Sequence, residues 1–237
     1  MKIHVGTSGY GFKEWKGAFY PEEISPKAML RFYAERLGAV EINYTYYHLP
    51  TESVLAAWAE QVPADFAFAL KASQVITHRK RLRKTAEETG YFFSSLAALG
   101  AKMGPVLFQF PASFHADRAV LADFLPLLPS GRQCAFEFRH PSWNAPEILD
   151  LLREHGCSLC LADTDENPVT ELISTADWGY LRLRRANYSP AELAQWLTRI
   201  QAQPWQSAFV FFKHEDEAKE AKGPELAMHF QQLAGAR

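Results

Sequence analysis

Eight short apolar runs recur along the chain, and most end in a polar or charged residue. In order they are Ile3–Ser8, Val40–Asn43, Phe66–Lys71, Val106–Gln109, Ala135–Arg139, Leu159–Asp163, Tyr180–Arg184 and Ala208–Lys213. Each has the length and the β-branched or aromatic content of a strand. Between nearly all of them, apolar residues recur at helical spacing, as at Leu30, Tyr33, Ala34 and Leu37, or Leu193, Trp196, Leu197 and Ile200. Further helices are expected over 51–61 and near 92–99. Strands alternating with helices predict an α/β fold, a single (β/α)8 TIM barrel, with its active site at the C-terminal ends of the strands. The 237 residues suit one such domain spanning 1–237.

Helix starts are marked by local chemistry. Ser25-Pro26 places a capping residue before a proline at the first helical position. Ser189-Pro190-Ala191-Glu192 adds the glutamate of a capping box, and Asn144-Ala145-Pro146-Glu147 is a less regular version. Two segments break the rhythm. One runs from Gly9 to Ser25 and is rich in aromatics; the other runs from Ser73 to Thr89 and holds the basic cluster Arg79–Lys84. Both leave strand ends, so both are expected as loops over the active face.

Alternation along each strand sorts the polar residues, because side chains two apart share a face. Phe136 and Phe138 belong between sheet and helices, which turns Glu137 and Arg139 into the barrel. The same reasoning turns Lys71 inward against Phe66, Phe68 and Leu70, and Glu41 and Asn43 inward against Val40 and Ile42. Gln109, Asp163, Arg182, Arg184 and Lys213 follow. The mouth then collects acids and bases together, and buried charge must be paired or used. Part of this set, including the deeper Arg182, is expected to form a salt-bridge lattice.

Composition excludes several classes. A net charge of −2 gives no general attraction to nucleic acid or to an anionic membrane; the Arg79–Lys84 cluster is the one stretch through which nucleic acid can bind. No apolar run reaches the length of a bilayer span, and the first residues enter a strand pattern with no signal-peptide character. Three cysteines do not make a disulfide framework, and a reducing cytoplasm is the simplest setting. Cys157-x-x-Cys160 lies against a strand and reads as buried packing. His4, His48, His115, His155 and His229 read as structural or surface residues.

A set of ordered motifs adds to this. Gly6-Thr7-Ser8-Gly9-Tyr10, Trp15-Lys16-Gly17-Ala18-Phe19-Tyr20-Pro21 and Val40-Glu41-Ile42-Asn43-Tyr44-Thr45-Tyr46-Tyr47 are followed by Lys71, Ile76-Thr77-His78, Leu107-Phe108-Gln109-Phe110-Pro111 and Glu137-Phe138-Arg139-His140-Pro141-Ser142-Trp143. Together they resemble the DUF72 (YecE-like) family over nearly the whole chain. The resemblance implies a TIM barrel and no established reaction. It adds His78, Tyr46 and Trp143 to the candidate ligand contacts. The chain also departs from the family pattern. Many members read Tyr-x-Arg-x-His-Gly in the seventh strand, where this chain has Tyr180-Leu181-Arg182-Leu183-Arg184-Arg185. The eighth strand often ends in Asn-Asn, where this chain has Lys213-His214-Glu215-Asp216. Both changes shift the mouth toward positive charge and imply a more anionic ligand.

Three function classes follow. The first is an acid/base enzyme acting on a small anion. Glu137 or Glu41 serves as base, Lys71 is a further catalytic group, and the ligand is bound by Arg139, Asn43, Gln109, Asp163, Arg184, Lys213, His78, Tyr46 and Trp143. A Schiff-base role is open to Lys71 or Lys213. The second is a metal-dependent hydrolase or isomerase drawing on Glu41, Glu137, Asp163, His140 and His214; no H-x-H or H-E-x-x-H spacing supports it. The third is a non-catalytic binder of nucleic acid or a protein partner. The first is preferred, with no cofactor and no metal expected.

Overall fold

In a computed structural model, described over residues 1–213 and 222–235, the eight runs form one closed parallel barrel in chain order. The strands are β1 (Lys2–Ser8), β2 (Ala39–Ile42), β3 (Ala67–Lys71), β4 (Met103–Gln109), β5 (Cys134–Glu137), β6 (Ser158–Asp163), β7 (Trp178–Leu183) and β8 (Ser207–Phe212). β1 closes the ring by pairing with β8, from Lys2 opposite Ser207 to Thr7 opposite Phe212. The helices are α1 (Pro26–Ala34), α2 (Glu52–Glu60), α3 (Ala86–Ser95), α4 (Arg118–Phe124), α5 (Pro146–Glu154), α6 (Pro190–Gln201) and α7 (Lys222–Leu233). One follows every strand except β6, which reaches β7 through an irregular segment over 164–177. Among the described residues, no helix is long and apolar enough to cross a membrane.

Two layers of apolar packing hold the ring. Inside, Ala39, Ala67, Ala69 and Ala135 leave room that Trp178, Tyr180, Phe209 and Phe211 fill from β7 and β8. Small residues opposite large ones let the barrel close without a void. His4 joins this floor by stacking on Phe209 with centroids 4.6 Å apart. Outside, Val40, Phe68, Leu70, Phe108, Phe136 and Leu181 pack under the helices. Phe136 stacks on Phe108 at 5.2 Å and meets Phe124 of α4 edge-on at 6.3 Å. β1 and β2 approach closely at Gly6, where a Cβ would lie 1.9 Å from the Ala39 carbonyl oxygen. Only glycine fits there.

The two long loops are tighter than the sequence suggests. In 9–25, Trp15, Phe19 and Tyr20 are buried. Phe19 packs edge-on against Phe32 and Tyr33 of α1, at 5.8 and 6.0 Å. Its aromatics therefore thicken the outer wall rather than form an open lid. In 73–89, Val75–Arg79 forms a π-helical turn and α3 already begins at Ala86. Between them lies a strained turn with left-handed backbone at Arg81, Leu82 and Lys84 (φ 49°, 69° and 51°). Buried Leu82 anchors it. Lys80 pairs with Glu88, and Arg83 with Asp117 at 2.8 Å.

The capping box at Ser189 forms as expected, with Ser189 N donating to Glu192 Oε2 at 2.8 Å. Ser25 precedes Pro26 without a side-chain cap bond, and Ala145 rather than Asn144 caps α5.

Candidate functional site at the barrel mouth

Strand register explains the arrangement at the C-terminal rim. Ser8 lies beside Glu41 across β1 and β2, and Gln109 lies beside Glu137 across β4 and β5. The Ser8 hydroxyl donates to Glu41 Oε1 at 2.7 Å, and Gln109 Nε2 donates to Glu137 Oε1 at 2.9 Å. Arg182 enters from β7 and joins the two acids. Its Nη2 donates to Glu41 Oε1 at 2.8 Å and its Nη1 to Glu137 Oε2 at 2.7 Å. The Tyr180 hydroxyl completes the cage by donating to Glu41 Oε2 at 2.8 Å. Glu41, Glu137 and Arg182 are all buried.

These pairings hold both acids ionised. Burial alone would push the Glu137 carboxyl up. The Arg182 and Arg139 guanidinium groups, with hydrogen bonds from Arg182 and Gln109, outweigh it and hold the carboxyl at about 2. Burial likewise opposes the charge on Glu41, and Arg182, Ser8 and Tyr180 reverse the balance, leaving it below the usual carboxylate range. A base held this low is weak at neutral pH, since proton transfer is most effective when the group titrates near the working pH. The acids expected to be catalytic are thus fixed as counter-ions to Arg182.

The remaining cations are differently placed. Lys71 ends β3 in the inward register of Ala67 and Ala69. Its Nζ lies 4.6 Å from the centre of the Tyr46 ring. Neither acid is bonded to it; Glu41 and Glu137 attract it only through space. Burial first, then Arg182, push its ammonium down to about 8. Arg139 sits just past β5, its side chain 52% exposed, with Nε 3.3 Å from Glu137 Oε1. Arg184 sits just past β7, where its backbone N–H donates to the Asp163 carbonyl at 2.8 Å. Among the described residues its guanidinium has no partner, and burial and Arg182 lower its affinity for a proton. Four cations thus share the mouth with two carboxylates that Arg182 already occupies. A cavity of about 540 Å³ opens beside Arg139 and Arg184, lined by these two with Glu137, His140, Cys160 and Glu166 among others. That size suits a small ligand. A larger depression of about 780 Å³ between α1 and α2 has no comparable group of buried charges.

Other expected residues fall less uniformly. Asn43 lies beyond β2 and reaches Glu41 Oε1 only at 3.5 Å. Tyr46 and His78 stand over Lys71 as an edge-to-face pair 5.0 Å apart, and His78 Nδ1 is held by the Thr77 hydroxyl at 2.9 Å. Burial, Lys71, Arg139 and Arg81 all lower the His78 pKa, which keeps the ring neutral. Lys213 follows β8 in the inward register of Phe209 and Phe211. His214 lies outside the described residues.

Two expectations need correction. Asp163 does not face the barrel. It shares the outward face of Leu159 and Leu161, where Arg185 pairs with it at 2.7 Å, Tyr188 OH donates at 2.8 Å and Val169 N at 2.8 Å. It pins 164–177 and the start of the β7–α6 connection. Trp143 is no ligand contact either. It is fully buried, stacked on Phe138 at 4.3 Å, and its Nε1 donates to the Phe114 carbonyl at 2.7 Å. Among the described residues, no group of three or more His, Cys, Asp or Glu side chains is placed to hold a metal ion. Of the donors proposed for one, Glu41 and Glu137 are bonded to Arg182, Asp163 is turned outward, and His140 Nδ1 lies 2.8 Å from the Ser142 hydroxyl. Ser8 and Tyr180 belong to the site but were not among the expected residues. Strand parity carries the signal for both, since Ser8 shares a face with His4, and Tyr180 with Arg182.

A closed parallel barrel with a dense charge network at the C-terminal rim defines the class of protein: a TIM barrel with a built, polar mouth. Residues 4–237 match the model of DUF72, a protein family of unknown function, and the chain belongs to that family. A solved DUF72 structure from Thermotoga maritima superposes with a TM-score of 0.85 at 26% identity, covering 99% of this chain and 100% of that one. A DUF72 protein from Enterococcus faecalis gives 0.78 at 21% identity, covering 99% and 96%, which speaks for the fold alone. UPF0759 protein YunF of Bacillus subtilis is 25% identical over 166 residues, a match spanning 65% of this chain and 58% of YunF.

Proposed function

We propose that the protein is an enzyme that binds a small phosphate- or carboxylate-bearing ligand at the barrel mouth and moves a proton on it, with Lys71 as the working acid/base group. The observation that carries this reading is the surplus of cations. Glu41 and Glu137 are both occupied by Arg182. Arg184 lines the cavity with no ion pair among the described residues, Arg139 lines it half-exposed and shares Glu137 with Arg182, and Lys71, within electrostatic reach of Arg139, has neither acid bonded to it. Unpaired buried charge is costly unless something uses it. Arg184 follows the seventh strand, and the loops after strands seven and eight are where TIM barrels frequently bind phosphate. Lys71 is preferred to Glu137 for proton transfer because burial and Arg182 push its ammonium down to about 8, whereas Glu137 is held at about 2.

The nucleic-acid reading has less behind it, because Lys80 and Arg83 of the basic cluster are paired with Glu88 and Asp117.

Calorimetric titration with sulfate and phosphate tests the anion reading. Wild type should bind at least one of them. Arg184→Ala removes a charge-assisted contact worth about 1.5–3 kcal/mol, so affinity should fall roughly 10- to 100-fold. No binding to wild type, or equal binding to Arg184→Ala, overturns it.

A further inference from the structure

Resting on that anion site, we propose that Lys71 is a nucleophile that condenses with an aldehyde or ketone carrying a phosphate or carboxylate, forming a Schiff base at the barrel mouth. Two geometric observations and one electrostatic one converge. Among the described residues Lys71 Nζ has no hydrogen-bond acceptor or ion pair, and it lies 4.6 Å from the centre of the Tyr46 ring. An amine that is to attack carbon must not be engaged as a donor to a carboxylate. The two carboxylates that could have captured it are held instead by Arg182, at 2.8 and 2.7 Å. Finally, burial, Arg182 and Arg139 disfavour its ammonium form and outweigh the through-space pull of Glu41 and Glu137. A desolvated lysine beside other cations is the usual setting for a neutral, nucleophilic amine.

The step balances without a co-reactant. One proton leaves the ammonium to expose the lone pair, and nitrogen attacks the carbonyl carbon. The carbonyl π electrons move to oxygen, which takes a proton. The carbinolamine then expels that oxygen as water while nitrogen forms the C=N bond. The iminium keeps one of the three original ammonium protons, and the water leaves with the other two. Nothing is oxidised or reduced, and the positive charge is conserved. The Tyr46 ring lies 4.6 Å from Nζ and the His78 ring 5.0 Å from that of Tyr46, and in this proposal these two groups carry protons between the steps. Arg184 and Arg139 would hold the anionic end, which sets the substrate class: a carbonyl compound with a negative group a few bonds from the reacting carbon.

Reductive trapping tests this. Wild type is incubated at pH 8 with cyanoborohydride and glyoxylate, pyruvate or dihydroxyacetone phosphate, with neutral dihydroxyacetone for comparison, and adducts are located by peptide mass spectrometry. At least one anionic carbonyl should label Lys71 stoichiometrically, at least tenfold faster than the surface lysines Lys27 and Lys84 and tenfold faster than dihydroxyacetone does. Excess sulfate should protect Lys71. Lys71→Arg, checked for folding by its melting curve, should lose this adduct. Labelling spread evenly over all lysines overturns the proposal, as does Lys71 staying unlabelled while wild type binds sulfate in the calorimeter; the second result leaves the anion site standing. Fast labelling of Lys71 by neutral and anionic carbonyls alike, with no sulfate protection, keeps the nucleophile and removes the anion site.

Discussion

Replacing Arg182 by methionine should destabilise the barrel more than any other single change at its mouth. The side chain is 3% exposed and bridges two carboxylates that are themselves buried. Methionine fills similar space and supplies no charge. Glu137 is held at about 2 instead of 4.5. Each unit is worth about 1.36 kcal/mol, so its pairing contributes about 3 kcal/mol at neutral pH. Glu41 loses the same partner, and stranding a buried charge typically costs 3–5 kcal/mol, so the combined loss should reach about 5 kcal/mol. That is a large fraction of the roughly 5–15 kcal/mol that holds a domain folded. The dependence on pH carries a sign. In wild type, Glu137 is depressed, so its contribution is complete above about 4.5 and fades as pH falls toward 2. In Arg182→Met, burial should outweigh what Arg139 and Gln109 still supply to Glu137, and Ser8 and Tyr180 to Glu41, and raise both carboxyls above their unfolded values. The variant therefore regains stability as pH falls from 7 to 5, when protonation removes the stranded charge. His4, which burial pushes down to about 4, weakens both proteins equally on acidification and cancels in the difference. Urea unfolding at pH 7 and pH 5 gives the two differences. Adding Glu41→Gln and Glu137→Gln to Arg182→Met should restore much of the loss, because neutral amides tolerate burial. A deficit below about 1 kcal/mol at pH 7, or one that grows on going to pH 5, would refute the bridging role.

Further outcomes follow from the same geometry. Glu137→Gln should cost about 2–3 kcal/mol at pH 7 in urea unfolding, less than Arg182→Met because Glu41 still holds Arg182, and it should tighten sulfate binding by removing a negative charge from the mouth. Loosened sulfate binding would contradict this. Sulfate should raise the Lys71 pKa from about 8, so binding at pH 8 should take up about half a proton and binding at pH 6 almost none. Titrations in two buffers of different ionisation enthalpy measure the uptake. Gly6→Ala should prevent stable folding, since its Cβ would sit 1.9 Å from a backbone oxygen that cannot move without parting β1 from β2; a soluble variant with an unchanged melting curve would show that the strands can separate there.

Much of this was legible because strands obey a strict period. Once Phe136 and Phe138 are assigned to the helix side, Glu137 must face inward, and the register then brings Gln109 beside it. Lys71 and Glu41 follow in the same way. Asp163 shows the rule misapplied rather than failing. Leu159 and Leu161 face the helices, so parity sends Asp163 outward, yet its position at a strand end suggested a mouth residue. Trp143 was misread for another reason. A motif of charged and aromatic residues does not reveal which members pack, and only the stack with Phe138 and the bond to the Phe114 carbonyl settle it. The division of labour among the charges was legible only in part. The depth of Arg182 marks it in sequence for a salt-bridge lattice, but only three-dimensional distance shows that it bridges both acids while Arg139 and Arg184 do not.

That division is what gives the mouth its character. Two acids and one arginine, buried together, satisfy one another and leave a net negative unit at the base of the rim. Three further cations sit above it and are attracted to it from a distance, so they stay near the mouth without being quenched. The acids thus act as a fixed electrostatic floor. They draw Lys71, Arg139 and Arg184 inward, and because their oxygens are already bonded, they do not close the cavity by pairing with Lys71 or Arg184. In the proposed function, a ligand with one anionic group occupies the place a third acid would have filled. The cost of holding those cations apart is met by burial of the aromatic wall and barrel floor, where Trp178, Tyr180, Phe209 and Phe211 meet the small residues of β2, β3 and β5. Stability is stored in the lower layers of the barrel, and unpaired charge is kept at the rim, where a ligand can reach it.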